Sequence, residues 1–168
     1  MSRSIVVYSV PPGPLGQAWG SRDAGLKRAL AAAVGVETPE QVAAAHRLVD
    51  GLPPTHEAPA VIHGFELVCA RFGRSLPNRS LSPAPSGFLD ALERELKAQQ
   101  FPFTIYRLIM GGGPLKLPWA DDFPTVGHID PGVVQAAAVR VQARPLTSPD
   151  PDLDAALAEL GDWATIAA

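Results

Sequence analysis

The chain has 168 residues, of which 46% are hydrophobic and 18% charged, with a formal net charge of −3 and a pI near 5.7. That length suits one folded domain whose core needs no staples, the hydrophobic share excludes a wholly disordered chain, and the lack of a basic footprint argues against nucleic acid as a partner. Cys69 is the one cysteine, so a single copy has neither an intrachain disulfide nor a cysteine-based zinc site.

The run Ile5 to Val10 is β-branched and aromatic, apolar on both alternating faces, and reads as a buried strand ended by Pro11-Pro12-Gly13-Pro14. It is too short for the apolar region of a signal peptide, and no window approaches the ~18 apolar residues of a membrane span. A cytoplasmic protein without membrane contact is expected. Ser21 is placed to cap a helix over about residues 22–34, with Leu26, Leu30, Ala33 and Val34 on one face. Thr38-Pro39-Glu40-Gln41 has Thr at N-cap, Pro at N1 and Gln at N3, a capping box that predicts a helix over 39–50. Val42, Ala45, Val49 and Leu52 form its inner stripe, and Gly51 stops it. Residues 59–72 carry Val61, Phe65, Val68 and Phe72 at helical spacing, with Gly73 just beyond. From Leu76 to Pro85 the Pro, Ser, Asn and Arg content marks a surface loop.

Ser86 caps a helix near 87–99 that turns Phe88, Leu92 and Leu96 inward and pairs Asp90 with Arg94 and Glu93 with Lys97 outside. Thr, Ile and Tyr between Phe103 and Met110 predict a second strand, 103–110, paired with the N-terminal one. Asp130-Pro131 starts a helix near 131–142, and a last helix spans about 151–165 with Leu153, Leu157 and Leu160 inward. The expected fold is a helix-rich α+β single domain over residues 1–168, about six helices around a small β-sheet.

Catalytic templates fail in turn. His56-Glu57 begins a zinc-protease helix motif, but Ala60 stands where the second His belongs and Pro59 interrupts. There is no Gly-x-Ser-x-Gly elbow and no Ser-x-x-Lys, and the serines lie in loop or cap contexts. Gly111-Gly112-Gly113 lacks the further glycine and the downstream helix of a dinucleotide loop, and Lys116 lacks the preceding glycine of a P-loop. Cys69, beside Phe65 and Phe72, reads as a small hydrophobe. His46 with Asp50 at i,i+4 and His63 with Glu66 at i,i+3 would converge on a transition metal if their helices packed antiparallel.

The least core-like stretch runs from Tyr106 to Gly132. After three glycines that leave its base mobile, Pro114, Pro118 and Pro124 stiffen an arm in which Asp121 and Asp122 lie between Trp119 and Phe123. Asp130 is explained as the N-cap before Pro131, whereas Asp121, Asp122 and His128 lack the further ligands a metal would need. The arm is either a cover over the domain, anchored by Trp119, Phe123 and Val126, or a partner-contacting segment. In the second case Trp119, Asp121, Asp122 and Phe123 meet a basic, aromatic-lined cleft on another protein. No metal, cofactor or catalytic residue is expected.

The succession of an N-terminal strand, "WGSRDAGLKRAL", "VIHGFELVCARFGRSLP", the Gly-rich arm and an acidic C-terminal helix resembles a family of small bacterial proteins of unknown function from actinobacteria and myxobacteria. Gly-Ser-x-Asp at Gly20 to Asp23 and the Asp-Asp-Phe-Pro run within Pro118 to Gly127 carry the likeness. The resemblance implies a single bacterial domain. By analogy with other cytosolic, acidic proteins without catalytic motifs, the expected role is an immunity-type (toxin-neutralising) or adaptor protein acting through protein–protein contact. Two alternatives stand beside it. One is a metal-dependent or hydrolytic enzyme using His46, His63 and Glu66 or Asp121, Asp122 and His128; the other is a small-molecule-binding protein with its pocket between sheet and helices.

Overall fold

The computed structural model describes residues 5–33, 38–53, 58–82, 84–85, 87–113 and 125–168. They form β1 (Tyr8–Ser9), α1 (Pro12–Ala18), α2 (Ala24–Ala32), α3 (Pro39–Asp50), α4 (Ala58–Phe72), β2 (Arg74–Ser75), α5 (Phe88–Ala98), α6 (Ile105–Met110), α7 (Pro131–Ala143) and α8 (Pro151–Ala167). The helix-rich expectation holds, with eight helices rather than six among the described residues, and these residues group into two compact units.

One unit holds residues 5–9, 75–113 and 126–168. The N-terminal strand is shorter and less buried than its composition suggests. β1 has two residues and pairs with β2 in a two-stranded sheet, the Leu76 amide donates to the Val7 carbonyl at 2.8 Å, and Val6 is 54% exposed. The predicted strand 103–110 is a helix. Thr104 takes extended backbone angles and its hydroxyl accepts from the Arg107 amide at 3.0 Å, which makes it an N-cap. The buried residues that follow are Ile105 and Ile109, spaced i,i+4, so helical capping and period override β-propensity. Phe101 and Phe103, just before the helix, meet edge-on with centroids 4.7 Å apart inside the core.

That core is completed by Leu92 and Leu96 of α5 and by Leu153, Leu157, Leu160 and Trp163 of α8, which packs on both α5 and α7. Glu93, expected outside, is the one buried charged side chain among the described residues. Its Oε1 pairs with Lys97 at 3.0 Å as the spacing predicts, while its Oε2 accepts the Ile105 amide at 2.9 Å and so satisfies the start of α6. Asp90 accepts the Tyr106 hydroxyl at 2.6 Å, a second tie between α5 and α6.

The other unit holds α1 to α4. α1 starts in the Pro-rich stretch that ends the N-terminal strand; prolines tolerated in a helix's first turn, with Leu15 and Ala18 buried, explain why it forms. α2 is capped by Asp23 rather than Ser21, its Oδ1 accepting the Gly25 and Leu26 amides at 2.7 and 3.0 Å. The capping box of α3 forms as read: the Thr38 hydroxyl accepts the Gln41 amide and the Gln41 side chain accepts the Thr38 amide, with Gly51 left-handed at the far end. Ala45 and Val49 are buried with Ala44 and Leu48, whereas Leu52 is exposed.

α3 and α4 make the principal helix pair of this unit. The contact closes at Gly64, where a Cβ would stand 2.8 Å from the Ala45 amide nitrogen and 3.0 Å from the Gln41 carbonyl. Backbone lies against backbone there, with no flexible side chain to yield. Gly64→Ala should therefore force the helices apart, with a loss of about 1–3 kcal/mol measurable as a lower midpoint in urea unfolding.

Candidate functional site

Trp119, Asp121, Asp122 and Phe123 lie outside the described residues, within 114–124. The two ends of that segment are described, and they are tied together. Gly112 and Gly127 form a parallel β-bridge, and the Gly112 amide donates to the Val126 carbonyl at 3.1 Å. Gly112 has φ +98°, a left-handed conformation that suits glycine. Gly127 is packed so closely that a Cβ would overlap the carbonyl oxygens of Arg107 and Leu108, at the C-terminal end of α6. Of the three glycines expected to leave the arm's base mobile, Gly112 is bridged to Gly127 and hydrogen-bonded to Val126, which closes the base.

Charged groups brace the same place. Asp130 occupies the N-cap of α7, but its carboxylate makes no capping hydrogen bond. It is engaged instead by Arg107, whose Nη2 donates to Oδ2 at 2.6 Å, and by His128, whose Nε2 lies 3.4 Å from Oδ1. The other ring nitrogen of His128, Nδ1, stands 2.5 Å from the Gly112 carbonyl. Arg107 and Asp130 are 44% and 54% exposed, so water screens their pair and its stabilising effect is at most about 1 kcal/mol. What the network supplies is geometry: α6, the Gly112–Gly127 bridge and the start of α7 are held in one register. Arg107 was missed as a site residue, since its link to Asp130 spans 23 positions and no local pattern signals it.

The remaining candidates are dispersed. His63 pairs with Glu66 at 3.3 Å along α4, as their spacing predicts. His46 places Nε2 2.9 Å from the Lys27 carbonyl, and Asp50 pairs with the Lys27 ammonium at 2.9 Å, so both brace α2 against α3. The convergence of the two His/carboxylate pairs that antiparallel packing would have allowed is not seen: among the described residues no three His, Cys, Asp or Glu side chains are grouped to hold a metal. An apolar recess lined by Leu15, Trp19, Leu48 and Phe65 has room for about one water molecule, well short of a ligand pocket.

The Gly20 to Asp23 segment is a structural joint. The Gly20 and Arg22 amides donate to the Leu48 and Val49 carbonyls at 3.4 and 3.0 Å, covering the open C-terminal turn of α3 before Asp23 caps α2. A Cβ on Gly51 would lie 2.9 Å from Gly20 Cα, so the close approach of the joint to the end of α3 requires glycine at position 51.

By its sequence the chain belongs to the family of the domain of unknown function DUF7691, whose profile matches residues 1–168. No curated protein and no solved structure matches it significantly.

Two measurements test this geometry. Gly127→Ala should lower stability by about 1–3 kcal/mol, read as a depressed Tm, because the new methyl meets carbonyl oxygens fixed by α6. Burial pushes the Cys69 thiol up from 9.0 to about 12, with the nearby Glu66 carboxylate acting in the same direction. The folded chain then keeps this proton between pH 9.0 and about 12 while the unfolded chain releases it, so stability present below pH 9.0 declines as pH rises through that window. Cys69→Ala should flatten this alkaline decline in a denaturation series, and the native thiol should resist alkylation near pH 8 until the chain unfolds.

Proposed function

We propose that this is a non-enzymatic, cytoplasmic bacterial protein that works by protein–protein contact, of the immunity or adaptor kind, and that Trp119, Asp121, Asp122 and Phe123 are its contact residues. The observation that carries the reading is the closed base at Gly112 and Gly127, braced by Arg107, His128 and Asp130. A segment whose two ends are already fixed side by side has less chain entropy to lose on binding than one with free ends. Pro114, Pro118 and Pro124 lower that cost further by restricting φ. The chemistry between them, two adjacent carboxylates flanked by aromatic side chains, complements a basic, aromatic-lined cleft.

The enzymatic alternative gains no support from the described geometry. Both ring nitrogens of His128 face protein oxygens, and His46 directs Nε2 at a backbone carbonyl. No described helix is long and apolar enough to cross a membrane.

The test uses a partner captured by pull-down from cell extract and then purified. Asp121→Ala/Asp122→Ala and Trp119→Ala should each weaken its binding by about 2 kcal/mol, roughly thirtyfold, with little change in Tm. Full affinity in the double aspartate variant would reject the contact role; a large fall in Tm for Trp119→Ala alone would mark that side chain as a core anchor.

A further inference from the structure

Residues 5–7 lead into β1 with alternating exposure: Ile5 packs against the core, Val6 is 54% exposed and Val7 is buried. The bonds that hold them go to their backbone. Asn78 Nδ2 donates to the Ile5 carbonyl at 2.6 Å, the Leu76 amide donates to the Val7 carbonyl at 2.8 Å, and Ser82 Oγ accepts the Ile5 amide more weakly, at 3.4 Å.

The residues that make these bonds are braced without any help from 5–7. Asn78 is aimed by its own loop, since its Oδ1 accepts the Leu81 amide at 3.1 Å. The Arg79 and Ser80 amides are held by Glu159, and the Pro77 carbonyl by the indole of Trp163, both on α8. A receptor built this way keeps its shape when its occupant leaves. Because it reads carbonyls and an amide, it tolerates sequence change, and its side-chain demand is limited to the inward positions, here Ile5 and Val7. We propose that Leu76, Asn78 and Ser82 form a peptide-binding slot, that residues 5–7 fill it as an exchangeable strap, and that an extended peptide of the same alternation (apolar, any residue, apolar) takes their place. The slot uses none of the residues of the contact site proposed above, so either reading can fail without the other.

Two measurements test it. In the intact chain, hydrogen exchange of the Leu76 amide should show at least tenfold less protection than that of the Leu157 amide in α8, and should barely change in low urea, where Leu157 exchange accelerates. Leu76 exchanging in step with Leu157 across the urea series would mean that the strap leaves only on unfolding, and overturns the proposal. In the second, a protease site placed between Val10 and Pro11 is cut in the folded chain, and a labelled peptide of residues 4–10 is added in excess and followed by fluorescence anisotropy. We expect saturable binding, retained within about twofold by a Val6→Lys peptide and lost by more than tenfold in a Val7→Asp peptide. Asn78→Asp in the chain, which keeps the acceptor for Leu81 but removes the donor to Ile5, should weaken binding about two- to tenfold. No saturable binding, or equal binding of the Val6→Lys and Val7→Asp peptides, rejects the slot.

Discussion

Every backbone amide and carbonyl at a helix end needs a partner, and this structure is organised around that constraint. Eighteen prolines cut the chain into short helices and multiply the ends to be satisfied. Some ends are closed locally, by Asp23, Thr38, Thr104 and Asp150. Others are closed by distant groups. The Gly20 and Arg22 amides meet the last carbonyls of α3, Glu93 meets the first amide of α6, and Arg140 donates to the Gln99 carbonyl just beyond α5. Among the described residues no buried side-chain polar atom is left without a partner.

The two units answer this constraint with different packing. Around α3 and α4, small residues such as Ala44, Ala45 and Gly64 let backbones approach, so the pair is specified by the absence of side chains. Around α5 and α8 the core is made of leucines and Trp163, whose indole N–H donates to the Pro77 carbonyl. Glu159 accepts the Arg79 and Ser80 amides at 2.8 and 2.9 Å, pinning the chain between β2 and α5. Large apolar surface supplies the stabilisation in this unit, and a few polar ties decide where the loops rest.

The candidate site extends the same logic. Its ion pairs are exposed and individually weak, yet they act on two glycines that admit almost no displacement: Gly112 in a left-handed conformation and Gly127 against the carbonyls of α6. Position is set by steric exclusion and hydrogen bonding, and charge adjusts it. Under the proposed contact role, the place from which a segment departs governs the cost of ordering it.

Helices with a strong local signature were legible from residue order. The capping box at Thr38 to Gln41 defines α3, and the periodic leucines of α5 and α8 mark their buried faces, because capping and period depend on neighbours three or four positions away. The strand read at 103–110 failed because β-branched and aromatic composition is compatible with both structures, and the decision came from Thr104 as a cap and from Glu93, twelve positions away, receiving the Ile105 amide. At the site, the sequence marked the glycines and carboxylates as unusual and left His128 without an explanation. It had no means of showing that Asp130 turns from its cap toward Arg107 or that Gly112 and Gly127 are bridged. By itself, then, the sequence determined the helices with a strong capping or periodic signature, such as α3, α5 and α8, and most of their inward faces. Tertiary structure decided which distant group satisfies each open backbone end, because that choice depends on distances that exist only once the chain has folded.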